Sequence, residues 1–139
     1  MKRTLKLIVL ALLVVALVVT GYLSESSRPE WRKISPFTRI EISGESILVE
    51  HEEKEYELVS IEGIPTEELI AAAEKRFGRQ WQKRIREDIA EVLGAAGVKE
   101  STHVDLKLRD SVSGTETTFR DVEMTEEKRA EAYQRSEGG

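Results

Sequence analysis

The fold of this chain is decided by residues 56–96, YELVSIEGIPTEELIAAAEKRFGRQWQKRIREDIAEVLGAA. The apolar run at the start predicts a strand over 56–61, and the Glu-Gly-Ile-Pro sequence after it predicts a sharp turn. Two helices are predicted next, over 66–77 and 79–96. Apolar residues recur along both helices at spacings of three and four, so each helix has one apolar face. Those faces need a sheet to cover them, and the strands predicted on either side provide it.

Four further strands are expected around this stretch. Alternating apolar and polar residues predict them over 37–42, 47–51, 102–109 and 117–124. The first three strands of the chain are joined by short connections, which favour an antiparallel meander. A mostly charged helix is predicted over 126–135, and we expect Thr66 and Thr125 to cap the first and last helices. The order β-β-β-α-α-β-β-α predicts an α+β domain, with an antiparallel or mixed sheet of about five strands and two or three helices.

The N-terminal segment, residues 1–23, has the composition of a membrane span. Residues 1–6 contain three basic residues and no acid, and residues 7–19 are all Leu, Ile, Val or Ala. A helix that crosses a bilayer needs about 20 apolar residues, so we predict that residues 5–23 anchor the chain in the lipid bilayer. The basic residues place the N-terminus inside and residues 25–139 on the periplasmic or extracellular side. The alternative is a cleaved signal peptide, after which the chain is secreted.

The rest of the chain divides by composition into three parts. Residues 24–35 have the polar composition of a linker, residues 36–135 carry the predicted α+β domain, and residues 136–139 are expected to be a disordered tail. All 26 acidic residues and 18 of the 21 basic ones follow Leu23, which leaves this part with a net charge of −8. So acidic a domain repels nucleic acid. The chain has no cysteine, which excludes disulfides, thiol catalysis and thiolate metal sites.

Part of the chain resembles a known family. Residues 56–69, YELVSIEGIPTEEL, are similar to the strand-turn-helix of PDZ-like domains, and residues 103–110 with the following hairpin are similar to later strands of those domains. The resemblance covers about a third of the chain and implies a module of the kind that accompanies membrane-bound and secreted bacterial proteases. It implies no catalytic residue, because no protease domain is matched. The sequence departs from the family in two ways. Its helical insert is longer than the single short helix of the family, and residues 43–46 lack the carboxylate-binding loop and place Glu45 where a bound carboxylate would be repelled.

Few residues of the chain carry reactive chemistry. His51 stands beside three glutamates, but neighbouring side chains of a strand point to opposite faces and do not converge on a metal. Both histidines are expected at exposed strand ends, and a hydrolase site would need His51, His103 and Asp105 to meet. Glu87 and Asp88 are interpreted as part of a solvated, salt-bridged helix face. We predict no catalytic residue, no metal site and no cofactor.

A basic helical segment is the candidate partner-binding surface, and it suits an anionic lipid or an acidic protein. Its cations are Lys75, Arg76, Arg79, Lys83, Arg84 and Arg86. The alternative interpretation is an ordinary solvated helix face. We therefore predict a non-enzymatic, membrane-tethered interaction domain that presents this surface or a sheet edge to an envelope protein. The competing hypothesis is a small envelope hydrolase with a His/carboxylate site.

Overall fold

The computed structural model describes residues 32–137. The strands are β1 Arg39–Ser43, β2 Ser46–His51, β3 Lys54–Ile61, β4 Ile64–Pro65, β5 His103–Asp110 and β6 Glu116–Glu123. The α-helices are α1 Thr66–Phe77, α2 Trp81–Glu87, α3 Ile89–Ala95 and α4 Glu126–Glu137, and a 3-10 turn, Gly78–Gln80, joins α1 to α2. No helix within the described residues is long and apolar enough to cross a bilayer. The anchor predicted over residues 5–23, most of the predicted linker and the last two residues of the tail lie outside the described range.

One antiparallel sheet contains all six strands. Its order is β1-β2-β3-β5-β6, and the two-residue β4 pairs with β3 off this path. The predicted α+β fold is therefore confirmed, and of the two sheet types expected the structure has the antiparallel one. Tight turns join β1 to β2 and β2 to β3, as the short connections predict, whereas α1, α2 and α3 occupy the connection from β4 to β5.

The core lies between the inner face of the sheet and the helices. Along β5, Val104, Leu106 and Leu108 are buried and the residues between them are exposed, so the predicted alternation is confirmed. Leu69 of α1 and Ile85 of α2 are fully buried in the same apolar cluster. The helices thus cover the sheet with the faces that their three- and four-residue spacing predicts.

The helix predicted over 79–96 is divided in the structure. It is preceded by a break at Gly78, whose φ of 56° favours glycine, and it breaks again at Asp88, between α2 and α3. Asp88 has a φ of −136° and a ψ of 53°, which lie outside the helical region. Its carboxylate binds Arg84 of α2 and Arg129 of α4. The prediction of one helix was wrong. Apolar residues keep their helical spacing across Asp88, whereas the backbone leaves the helical conformation at that residue.

The two predicted threonine caps differ. The Thr125 hydroxyl accepts a hydrogen bond of 3.1 Å from the Lys128 N–H, so Thr125 caps α4 as predicted. Thr66 does not cap α1, because it is itself the first helical residue and its buried hydroxyl donates to the carbonyl oxygen of Leu58 in β3. Thr66 therefore attaches the start of α1 to the sheet.

The chain segments before β1 and after β6 meet. Ser35 and Thr125 exchange two backbone hydrogen bonds, of 3.1 and 3.0 Å, as an antiparallel bridge. Because β1 and β6 are the two edge strands of the sheet, this bridge curls the sheet and brings its edges together at one point. Away from the bridge β1 and β6 are not paired with each other, and His51 lines a cleft between the segment before β1 and β6.

Candidate functional site

Strand β6 leaves one of its edges open. Among residues 32–137 it pairs along its length with β5 alone, and only the segment after it reaches Ser35. The other edge strand, β1, is packed against α2 and α4. The side chains of β6 are exposed apart from Phe119 and Val122, which are half-buried. An open strand edge carries unpaired N–H and C=O groups, so it is a template for a further strand.

A β-bulge limits the length of this open edge. The pairing of β6 with β5 is regular from Glu116 to Phe119 and then shifts register. Asp121 has a φ of 55°, and its N–H donates a hydrogen bond of 2.9 Å to Oδ1 of Asp105. A bulge bends its strand and increases the local twist. The straight part of the open edge therefore runs from Glu116 to about Arg120.

Beside this edge lies a cleft with an aromatic floor, which we name the His51 cleft. The ring of His51, at the end of β2, meets the ring of Phe119 edge to face, with 4.7 Å between centroids. The Tyr56 ring of β3 lies 5.7 Å from that of Phe119. Charged residues of the β2–β3 turn, β6 and α4 form the rim: Glu52, Glu53, Arg120, Asp121, Glu123, Lys128 and Glu131. The curl of the sheet brings these elements together.

His51 is buried without a hydrogen bond. Its side chain is 7% exposed, and its Nε2 lies 3.8 Å from Oε1 of Glu52, which is too far for a hydrogen bond. No other residue in the described range hydrogen-bonds either ring nitrogen. Every fully enclosed side-chain nitrogen or oxygen of the described residues has a partner, so the ring nitrogens of His51 reach the surface of the cleft that the residue lines.

The protonation of His51 follows from this environment. Burial lowers the pKa of His51 below its ordinary value; the nearby carboxylate of Glu52 partly opposes the shift, and the ammonium of Lys128 adds to it. The imidazole is therefore neutral at neutral pH. A neutral imidazole offers one donor and one acceptor nitrogen, so the floor of the cleft can both donate and accept a hydrogen bond.

The rim of the His51 cleft is acidic. Nearby Glu50 is neutralised by Arg135, which donates hydrogen bonds of 2.8 and 3.0 Å to its two oxygens and so lowers the pKa of Glu50. Lys128 is also engaged, because its Nζ donates a hydrogen bond of 2.7 Å to the carbonyl oxygen of Glu123. The rim carboxylates outnumber the rim cations five to two. The cleft therefore keeps a negative field, which attracts cations.

Two rim glutamates occupy a turn that does not favour them. Glu52 and Glu53 have φ values of 50° and 64°, and they connect His51 directly to its pairing partner Lys54. A two-residue hairpin turn with both φ values positive is of type I′, for which Asn-Gly and related pairs are strongly preferred. Both glutamate side chains are exposed. The turn thus holds two carboxylates at the cleft at a conformational cost that Asn-Gly would avoid.

The predicted basic surface lies at the corner where α1 meets α2. Four of its six cations are exposed: Lys75, Arg76, Arg79 and Lys83. Arg84 and Arg86 are half-buried, and Arg84 binds Asp88 with an N–O distance of 2.8 Å while its guanidinium lies 5.9 Å from the centroid of the Phe77 ring. The other five cations form no ion pair with a residue in 32–137. These five cations therefore have no counter-charge within the described residues, and four of them are exposed.

The two histidines lie on opposite faces of the sheet. His51 follows Ile47 and Val49 at spacings of two on the buried face, so the expectation that it is exposed was wrong. His103 is exposed, as expected, and shares the outer face of β5 with Asp105. The hypothetical site that joins His51, His103 and Asp105 is therefore not formed. Within the described residues no three or more acidic or histidine side chains are grouped to hold a metal ion.

Comparison of the chain with protein-family models, curated proteins and solved structures finds no match. The candidate site therefore rests on geometry and charge alone. One feature of the sequence indicates the site. His51 continues the alternation of inward-facing residues along β2 that begins at Ile47, which places its ring on the inner face of the sheet. Its contact with Phe119 depends on the curl of the sheet, and no local pattern in the sequence predicts that contact.

Proposed function

We propose that this chain is a non-catalytic, membrane-tethered interaction domain that binds an extended segment of a partner protein along the open edge of β6. One observation carries the proposal: a straight, open strand edge borders a cleft in which buried His51 has no hydrogen-bond partner within the described residues. Strand addition at such an edge supplies main-chain hydrogen bonds, and an adjacent pocket supplies specificity. PDZ domains, which residues 56–69 resemble, also bind peptides by strand addition.

The composition of β6 supports a role in selective binding. Proteins protect edge strands from indiscriminate pairing with charges and bulges, and β6 has both: Glu116 and Arg120 flank its straight part, and the bulge at Asp121 ends it. Between them lie Thr117, Thr118 and Phe119, which have high strand propensity. A partner strand that matches the charges pairs with this part, whereas an unrelated strand meets repulsion or the bulge.

The proposed membrane tether compensates for the shortness of the interface along β6. In this proposal residues 5–23 remain in the bilayer and residues 25–139 face the outer side. Holding the domain near partners of the same envelope raises their effective concentration, which allows a weak contact to be occupied. The basic surface at the α1–α2 corner is free in the same arrangement to meet an anionic partner as a second contact.

Site-specific photocrosslinking in the native membrane tests the proposal. A photoreactive residue replaces Thr118 on β6, and the matched control carries it at Glu100, an exposed position in the connection from α3 to β5. We expect the Thr118 variant to capture one dominant partner, through a peptide that mass spectrometry then identifies, and the control to capture none. The same digests show whether residues 1–23 remain attached.

The position of capture decides between surfaces. A third variant carries the photoreactive residue at Arg79, within the basic surface. Capture through Arg79 without capture through Thr118 would move the interface to the basic surface and overturn the assignment to β6. If no variant gives a specific product, the interaction function itself is wrong.

A further inference from the structure

The ring of His51, which has no protein partner within the described residues, indicates what the cleft binds. Its ring nitrogens have no hydrogen-bond partner among the described residues and reach the surface of the cleft, where a ligand can displace water from them. The ring lines the cleft and its side chain is 7% exposed, so a ligand group that enters the cleft can reach its nitrogens. An apolar ligand side chain in the cleft would displace water from the two ring nitrogens of His51 without forming a hydrogen bond to either.

The surrounding charges select a cation. The carboxylates of Glu52, Glu53 and Asp121 stand on the rim with few cations to neutralise them. An ammonium or guanidinium group donates hydrogen bonds to the acceptor nitrogen of His51 and to rim carboxylates at once. Phe119 lines the same cleft, and a cation that contacts the face of its ring is attracted to it. An anionic side chain would be repelled by the same rim.

Two cations of the chain itself already bind oxygen atoms at the border of the cleft. Arg135 takes both oxygens of Glu50, and Lys128 reaches across to the carbonyl oxygen of Glu123. Both are side chains of α4, which approaches the cleft from one side. Within the described residues, the carboxylates of Glu52, Glu53 and Asp121 form no ion pair with a cation of α4.

Strand addition places a side chain into this space. When a further strand pairs with β6, its residues alternate between the two faces of the sheet, and every second one lies on the same face as Phe119. We infer that the segment bound along β6 is basic and that a Lys or Arg side chain on its inner face enters the His51 cleft. The identity of this ligand class rests on the function proposed above, because it takes β6 as the docking edge.

Peptide binding to the full-length protein in a mild detergent tests this inference. The probe is a fluorescein-labelled decapeptide of alternating Thr and Lys, and the comparison peptide has Glu in place of every Lys. A third peptide keeps the Lys residues but carries N-methyl groups on alternate backbone amides, which block strand pairing. We expect the Lys peptide to bind at least about tenfold more tightly than either of the other two at low ionic strength, as measured by fluorescence anisotropy.

A double variant tests the rim without weakening the fold. Replacing Glu52 by Asn and Glu53 by Gly removes two charges and supplies the residues that a type I′ turn prefers. We expect this variant to resist urea better than the wild type and yet to bind the Lys peptide about tenfold more weakly. The matched control, Glu45→Gln with Glu100→Gln, removes two exposed charges away from the cleft and should change binding less than about twofold.

The outcomes separate the ligand class from the docking edge. Equal binding of the Lys and Glu peptides, or no binding of either, overturns the inference of a basic ligand, while photocrosslinking through Thr118 still decides the use of β6. Binding of the N-methylated Lys peptide as tight as that of the parent shows a cation site without strand addition, which overturns the docking edge. A His51→Phe variant keeps an aromatic side chain and removes the ring nitrogens; an unchanged preference for Lys in this variant overturns the role of His51.

Discussion

Replacing Asp88 by asparagine tests the contact that joins three helices. Asp88 lies between α2 and α3 with a side chain only 12% exposed, and its carboxylate binds Arg84 of α2 at 2.8 Å and Arg129 of α4 at 3.5 Å. Arg129 also donates a hydrogen bond of 2.8 Å to the carbonyl oxygen of Glu87. The Asp88→Asn variant preserves the shape of the side chain but leaves two guanidinium groups without their counter-charge.

The size of the expected loss follows from the exposure of the two arginines. Arg84 is 42% exposed, and an exposed pair at this helical spacing contributes about 0.3–0.5 kcal/mol. Arg129 is only 18% exposed, and its contact with Asp88 is an ion pair rather than a hydrogen bond, so it contributes less than the upper part of the range of about 1.5–3 kcal/mol for charged hydrogen bonds. Since the distance to Arg129 is long for a hydrogen bond, we expect Asp88→Asn to lower the free energy of unfolding by about 2 kcal/mol.

Urea unfolding of the full-length chain in a mild detergent, followed by tryptophan fluorescence, measures this loss. The matched control is Glu87→Gln, which makes the same change of charge at the adjacent position. The Glu87 side chain is half-buried and forms no ion pair with a residue in 32–137. We expect the control to lose less than about 0.5 kcal/mol.

A double-mutant cycle identifies the contact responsible. We expect Asp88→Asn and Arg129→Met to be non-additive, with a coupling energy of about 1 kcal/mol. A loss for Asp88→Asn no larger than that of the Glu87 control would refute the reasoning, because the carboxylate would then behave as an ordinary solvated charge. Full additivity with Arg129→Met would show that the loss comes from somewhere other than this pair.

Three further predictions concern the pH dependence and the core. Burial lowers the pKa of His51 in the folded chain below the ordinary 6.5. Between the folded-state pKa and 6.5 the unfolded chain therefore binds more protons than the folded chain. The free energy of unfolding should therefore fall as the pH drops below 6.5, and His51→Phe should flatten this part of a urea-midpoint profile. The hydrogen bond from Lys54 and those from two backbone N–H groups lower the pKa of Asp110 to about 2 from 3.8. Its contribution to stability is present above 3.8 and is lost as the pH falls towards 2, so Asp110→Asn should narrow the difference in thermal midpoint between neutral and acid pH. Ile85→Ala should cost about 2–5 kcal/mol in urea unfolding, because Ile85 is fully buried; Val112→Ala, at a side chain that is 97% exposed, should cost less than about 0.5 kcal/mol, and similar losses at both positions would contradict the assignment of the core.

Periodic patterns made much of the fold predictable. Residues at spacings of two along β5 and of three and four along α1 face the core because backbone geometry alone sets those periods, and the predicted bounds of α1, 66–77, agree with the structure. The divided second helix was not predictable in this way. Asp88 has a non-helical backbone conformation and binds Arg129, a residue on a helix much later in the chain. The spacing of nearby residues does not predict such a contact.

The candidate site depends almost wholly on contacts that are distant in sequence. His51 could be placed on an inner face from its spacing with Val49, but its burial also requires Phe119, which another strand brings close. That β6 is an edge strand follows from the order of strands in the sheet, which alternation does not encode. The basic segment, by contrast, is contiguous in sequence, so its charges could be identified from composition; its role in binding stays a prediction.

The bridge between Ser35 and Thr125 also bears on the synthesis of the protein. Its two residues are separated by 90 positions along the chain, so at about 5–20 residues per second the ribosome releases the second several seconds or more after the first. Until then α4 is absent, so β1 lacks the helix that packs against it and the two edges of the sheet are not joined. The nascent chain therefore passes through a stage in which the edge strand β1 is incompletely covered, and chaperone binding competes with aggregation there. A stop codon just before Thr125 would make that stage permanent.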